Sequence, residues 1–353
     1  MARHDIIVIG ASAGGVEAIS TIVRGLPADL RAAVLVVLHL SRGRSVLPDI
    51  LSRAGPLAAR HPIDGERLQY GRIYVAPPDH HLVLDGNAVR LDHGPTENGL
   101  RPAVDPLFRS AARSFGARVI GVVLTGSLDD GTAGLAAVRE AGGVTVVQDP
   151  TEAFAPSMPI SAIESVHVDH ILRLARIPAV LVELTMERTM EKEATSGPHL
   201  RPMESDLGTP ALALEPDDRP GRPSVFTCPE CHGTLWEVDE GTILRFRCRI
   251  GHVYSPDSML AAQTDSVDRA LWAALRSLEE RAALNRKMAN RASDRNQPSA
   301  AKSFADRARV AEEHSTVVRG LLEDRTSRQI VPDHTDAADA AVKAEPAPQE
   351  DAQ

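Results

Sequence analysis

The stretch Asp5–Gly15, DIIVIGASAGG, decides how this chain folds. Ile6, Ile7, Val8 and Ile9 form a short unbroken apolar run, as expected of a strand buried on both faces of a parallel sheet. Gly10 ends the run, and Gly14 and Gly15 follow at once. From Val16 to Leu26 the apolar residues Val16, Ile19, Ile22, Val23 and Leu26 recur at helical spacing. The stretch therefore reads as strand, tight glycine turn, helix, with Ser12 in the turn. Such a turn lifts a hydroxyl above the sheet, beside the Ala13 amide and a helix N-terminus that favours negative charge. Three readings compete. A dinucleotide loop of the form G-x-G-x-x-G would need glycine where Ser12 stands. A structural βα turn needs nothing more. A nucleophilic Ser12 needs a histidine and a carboxylate at other strand ends, and both are there.

The alternation continues to about Met186. Ala33–Leu38 is a second buried strand ending at His39, and a segment around Pro48–Arg53 looks helical. Arg72–Ala76 and His81–Leu84 read as short strands separated by the turn Pro77-Pro78-Asp79. Asp105–Phe115 and Thr132–Ala141 read as helices, and Arg118–Leu124 and Val144–Val147 as strands. Strands alternating with helices mean right-handed βαβ units and a mainly parallel, doubly wound α/β sheet, with chemistry outside the strands' carboxyl ends. The expected division is a catalytic domain over 3–186 and a flexible linker over 187–224, where periodicity gives way to proline, glycine and charge. A cysteine module follows over 225–254, then a helical hairpin over 255–326, with Ser255 as a cap and Pro256 at the first helical position. A disordered acidic tail covers 327–353.

With 353 residues, 43% hydrophobic and 25% charged, the composition is that of a soluble globular protein. A formal charge of −9 argues against nucleic acid as the main partner. No apolar stretch approaches the roughly 20 residues that span a bilayer, so no membrane insertion is expected. DIIVIG is too short for a signal peptide and leads directly into the fold. All three cysteines fall between 228 and 248, which points to a metal and a reducing, cytoplasmic compartment.

Ser12, His39 and Asp130 each stand just past the carboxyl end of an expected buried strand. A serine hydroxyl attacks at neutral pH only if a base takes its proton. Histidine has a suitable pKa, and a buried carboxylate fixes its tautomer and steadies the imidazolium. Alone, His39 reads as a satisfied polar residue and Asp130 as a helix N-cap; at three ends of one sheet they read as a triad. The order Ser–His–Asp differs from the Ser–Asp–His of ordinary α/β-hydrolases.

Cys228-x2-Cys231 and Cys248-x3-His252 form two ligand knuckles with 16 residues between them, the pattern of a ribbon-like structural zinc site. Four protein ligands leave no open position for a reactive water. His232 is an alternative ligand, but its adjacency to Cys231 makes it sterically poor for the same metal. A protein-contact role is expected of this module and its hairpin.

The turn GASAGG, the His39 strand end, YVAPPDHHL (74–82), RPAVDPLF (101–108), LTGSLDDGTAGL (124–135) and PSMP (156–159) together resemble the catalytic domain of the chemotaxis protein-glutamate methylesterases, the CheB family. The resemblance runs in order over about residues 5–180. It implies a Ser12–His39–Asp130 triad and no cofactor for catalysis. The implied substrates are glutamyl methyl esters, and also glutamine amides, of methyl-accepting chemotaxis receptors. Backbone N–H groups of Ala13 and Ser127 are nominated for the oxyanion. Asp129 adjoins Asp130, and chemistry alone does not separate them; the motif register selects Asp130. The family's second glycine before the aspartate is here Leu128, which restricts the backbone beside Ser127. Family members typically carry an N-terminal receiver domain, and Ser12 stands too near the start of this sequence to leave room for one, so phosphorylation control within this chain is not expected. Arg101, Asp105, Asp79 and His80 belong to the same motifs, either lining a receptor groove or anchoring loops. The rival readings are the same hydrolase acting on another acyl substrate, and a non-catalytic adaptor built on the esterase fold.

Overall fold

A computed structural model describes residues 4–39, 43, 45–186, 221–241 and 243–329. The linker expected over 187–224 lies outside the described residues up to 220, and the tail expected over 327–353 lies outside them from 330. The chain divides into two compact units, Met1–Ala262 and Gln263–Gln353.

In the first unit, β1 (Ile6–Ala11), α1 (Gly15–Arg24), β2 (Ala33–Leu38), α2 (Leu47–Ala54), β3 (Ala58–Arg60) and β4 (Arg72–Val75) follow in order. A hairpin, β5 (His81–Asp85) and β6 (Ala88–Asp92), precedes α3 (Val104–Phe115), β7 (Val119–Val123), α4 (Thr132–Glu140), β8 (Val144–Gln148), α5 (Ser157–Ser165), β9 (His170–Leu172) and α6 (Ile177–Met186). Seven strands form one parallel sheet in the order β3-β4-β2-β1-β7-β8-β9. Every residue of β1 and β2 is buried, as their unbroken apolar runs require. Alternate residues feed two cores. Ile7 and Ile9 pack with α1, α2 and α6, whereas Ile6 and Val8 pack with α3, α4 and α5.

The chain winds outward from β1 through β2 on one side and, from β7 on, outward on the other. Successive strands thus diverge at the β1–β7 boundary, the crevice where open α/β sheets place their ligands. His81–Leu84 is not a member of the alternating parallel sheet. It pairs antiparallel with β6, because Gly86, at φ 54, turns the chain straight back. The apolar side of this hairpin, Leu82, Leu84 and Val89, covers the α3 side of the core.

The cysteine module begins a little earlier than its expected start. Strands β10 (Arg222–Thr227), β11 (Thr234–Glu240), β12 (Ile243–Cys248) and β13 (Val253–Tyr254) form a four-stranded antiparallel sheet. Its own core is small: Cys228, Leu235, Phe246, Cys248, Tyr254 and Met259. Helix α7 (Pro256–Asp294) starts in the first unit, where the Ser258 amide donates to Ser255 Oγ at 3.0 Å, the expected N-cap. The second unit holds the rest of α7 and α8 (Pro298–Gln329). The two helices are joined by the ion pairs Arg286–Glu312 and Arg319–Glu279, with Leu275, Ala282, Ala308, Ala311 and Leu322 buried. Among the described residues no helix is long and apolar enough to cross a membrane.

Candidate active site and metal centre

The end of β1 meets the end of β2. The His39 amide continues the strand ladder by donating to Ala11 O, so Ser12 and His39 leave the sheet side by side. The Ser12 turn is held from below: its amide donates to Thr125 O at 2.9 Å, and its carbonyl accepts from Gly15 N at 2.9 Å. Gly14 stands at φ 75 as N-cap of α1, a left-handed conformation that glycine adopts without strain. Gly126 lies under the serine so closely that a Cβ there would fall 2.9 Å from Ser12 Cβ and 2.0 Å from Met158 Sδ. Thr125 Oγ1 donates to Ala13 O and accepts from the Ala155 amide, both at 2.8 Å, fastening the serine turn to the loop before α5.

His39 Nε2 lies 2.7 Å from Asp130 Oδ2. Asp130 is 1% exposed, and its oxygens also accept from the amides of Val104 (2.7 Å) and Asp105 (3.4 Å) and from Asn98 Nδ2 (3.2 Å). Burial opposes its charge, but the His39 contact, the Val104 amide and the Arg245 cation outweigh it and hold the carboxyl down at about 2. Asp130 is therefore an ionised, fully engaged carboxylate. Asp129, the other carboxylate of the pair, points elsewhere and accepts from Ser255 Oγ at 2.7 Å. Burial, only partly offset by that hydrogen bond, pushes its carboxyl up to about 6. Tertiary structure thus separates two neighbouring aspartates that chemistry alone does not.

The Ala13 carbonyl is held by Thr125, and Ser127 is exposed in the loop after β7. Leu128 adopts φ 63, the conformation a glycine would take freely, so the loop keeps this course at a strain of about 1 kcal/mol. Arg101 acts as a loop anchor: its guanidinium donates to Asp79 Oδ1 (2.7 Å) and to Gly94 O (2.6 Å). Asp105 accepts from the Gly131 and Gly134 amides and caps α4 from outside that helix.

Cys228, Cys231, Cys248 and His252 come together, with their ligand atoms all within 4.8 Å of one another. Cys228 Sγ and Cys248 Sγ each lie 3.5 Å from His252 Nδ1, and Cys231 Sγ lies 3.6 Å from Cys248 Sγ. Such separations suit a tetrahedral ion bound at about 2.0–2.3 Å by nitrogen and sulfur. The far ring nitrogen of His252 lies 3.5 Å from Glu230 Oε2, the outer carboxylate that commonly orients a ligating imidazole. His232 sits apart from this cluster, at φ 59. The cluster is one that could hold a metal.

Sequence reasoning passed over Asn98, the Val104 amide, Thr125 and Arg245. The Asn98-Gly99 pair signals a turn, but no local pattern says that its amide meets a carboxylate 32 residues on.

Residues 7–181 match the family described as CheB methylesterase. Over 185 residues the chain is 41% identical to "Protein-glutamate methylesterase/protein-glutamine glutaminase 2" of Anaeromyxobacter dehalogenans, covering 52% of this chain and 54% of that one. It is 36% identical to a "Putative protein-glutamate methylesterase/protein-glutamine glutaminase" of Leptospira interrogans, covering 52% of this chain and 95% of the other. The chain spans about half the length of most of the curated relatives it matches. The solved catalytic domain of the Thermotoga maritima CheB methylesterase is similar with TM-score 0.50 and 34% identity, covering 52% of this chain and 99% of that one. Both the likeness and the collinear motifs end before the cysteine ribbon.

Proposed function

The chain belongs to the CheB methylesterase family, and on that premise we propose that it is a serine esterase that demethylates glutamyl methyl esters of methyl-accepting chemotaxis receptors. Deamidation of receptor glutamines is a second use of the same site, since both reactions pass through a tetrahedral intermediate at the same side-chain carbonyl. The observation that carries this reading is the 2.7 Å His39–Asp130 bond at the strand end beside Ser12.

Because Asp130 engages His39 Nε2, the base is Nδ1. Ser12 Oγ attacks the ester carbonyl while Nδ1 takes its proton, and the ionised Asp130 stabilises the imidazolium. The oxyanion is received by the amides of Ala13 and Ser127, donors of a kind typically worth on the order of 10²–10³ in rate. His39 then returns the proton to departing methanol. Water, activated by the same histidine, hydrolyses the acyl-enzyme to glutamate and free Ser12. Phe154, 81% exposed and packed over Gly14 of the serine turn, offers the receptor segment an apolar contact.

The catalytic work belongs to residues 3–186. The ribbon over 225–254 holds a structural Zn²⁺ on Cys228, Cys231, Cys248 and His252, and with the hairpin over 255–326 it serves protein contact. Clustered thiols without disulfides, and the absence of a membrane-spanning helix among the described residues, fit a cytoplasmic location. The deciding experiment is methanol release from a fully methylated receptor cytoplasmic fragment. The wild type is expected to release it and Ser12→Ala to lose all measurable release. Release that survives in the mutant breaks the mechanism. A wild type that neither releases methanol nor is labelled by a fluorophosphonate at Ser12 is an adaptor on the esterase fold.

A further inference from the structure

The ribbon does more than follow the catalytic domain in sequence: its buried polar groups run into the residues that surround Asp130. Arg245 of β12 is 1% exposed, yet it carries a guanidinium. Its Nη1 donates to Asp105 Oδ2 at 2.7 Å, and its Nη2 lies 3.3 Å from Glu97 Oε2. Asp105, fully buried, also takes the Gly131 and Gly134 amides that start α4, and its own amide faces Asp130. Four buried acids, Glu97, Asp105, Asp129 and Asp130, crowd this region. Such a concentration of like charge is tolerated only when cations and hydrogen bonds offset it. Arg245 reaches two of the four directly.

A second tie runs through Asn98. Its amide donates to Val253 O at 2.7 Å, while the Val253 amide donates to Thr96 O at 3.3 Å, so β13 is stitched to the 96–98 loop. The Asn98 side-chain oxygen accepts from the Ser255 amide (3.0 Å) and from Ser258 Oγ (2.9 Å). A backbone N–H cannot accept a hydrogen bond, so this contact fixes which end of the Asn98 amide faces the ribbon. The NH2 end is thereby aimed at Asp130 Oδ1. Ser255 Oγ meanwhile holds Asp129, the neighbour in sequence of Asp130.

From these contacts we infer that the cysteine ribbon and the start of α7 that follows it are a working part of the triad: Arg245, Ser255 and Ser258 are positioning residues that hold Asp130, and through it His39, by way of Asp105, Asp129 and Asn98. The ribbon touches no reacting atom, and it sets the geometry of the groups that do. The inference rests on the esterase reading for its activity arm, but not for its spectroscopic arm.

The test uses the full chain. Arg245→Met keeps the side chain's approximate volume and removes its charge and donors. The expected result is a loss of about tenfold or more in kcat with KM little changed. With it goes weakening or loss of the downfield proton resonance of the His39 ring N–H held by Asp130. Arg245→Lys, which restores the cation, is expected to recover most of both. The double variant Ser255→Ala/Ser258→Ala leaves Arg245 in place and carries the test should Arg245→Met not fold. It is expected to lower kcat about threefold or more and to shift the same resonance. A folded variant of either kind with wild-type kcat and an unchanged His39 resonance overturns the inference. A wild type inactive on every receptor ester, but whose resonance is lost in Arg245→Met, removes the esterase reading and leaves the positioning role standing.

Discussion

Asp129 and Asp130 carry the same side chain on adjacent residues and are driven apart by about four pH units, to about 6 and about 2. Asp130 faces an imidazole, two backbone amides and the Asn98 side-chain amide; Asp129 faces one hydroxyl in a buried site. The direction at Asp129 has a consequence for stability. A carboxyl whose folded pKa is raised above its ordinary 3.8 binds its proton more tightly in the folded state. Its contribution is full below about pH 4 and is lost as pH rises through about 6. Asp129→Asn should therefore be more stable than wild type at pH 8, by on the order of 3 kcal/mol, with the difference vanishing toward pH 4. Denaturant titrations of both proteins across that range measure it. At the same scale Leu128 shows what a residue type alone does not fix. The family's glycine suggests a left-handed backbone, and the loop holds that conformation at φ 63 despite the side chain.

Among the elements, the helices and strands of the catalytic region are largely readable from periodicity, because each buries a continuous apolar face against a neighbour. The Asp5–Gly15 stretch is the clearest case: its strand runs Ile6–Ala11 and its helix starts at Gly15. The β5–β6 hairpin was less legible, since a short apolar run looks alike in a parallel and an antiparallel sheet; only its pairing partner separates them. The ribbon poses the opposite problem. Its ligand spacing is plain in sequence, while its six-residue core is too small to fold on apolar burial alone. Stripping the metal with a strong chelator should unfold these four strands. A change in Trp236 fluorescence, read in a Trp272→Phe background, reports it; fluorescence unchanged at full metal removal would speak against a metal-dependent ribbon.

Over the molecule as a whole, the ribbon belongs to the same compact unit as the parallel sheet, although its sequence stands well apart from the catalytic motifs. The shared buried charges of Arg245, Asp105 and Glu97 make separate melting costly, because parting them leaves Asp105 without its cation and Glu97 with Arg109 alone. Calorimetry of the metal-loaded chain should show sheet and ribbon unfolding in one transition. Chelation, which takes the ribbon out of that transition, should leave the sheet melting several degrees lower, on the order expected for a few kcal/mol in a domain of this size. A separate low-temperature ribbon transition, with the main one unmoved, would mean that the two do not share stability.

The sequence by itself determined the parallel α/β architecture, the strand-end positions of Ser12, His39 and Asp130, and the Cys228, Cys231, Cys248 and His252 set. Each of these is written in local spacing: apolar period, glycine turns, and ligands two or three residues apart. Tertiary structure decided how the surroundings of Asp129 and Asp130 differ, where the Asn98 side-chain amide points, and that a guanidinium from β12 reaches the acids around Asp130. Those contacts join residues up to 160 positions apart, such as Ser258 and Asn98. No local periodicity records such pairings, because they follow from how packed layers bring distant loops together at one end of a sheet.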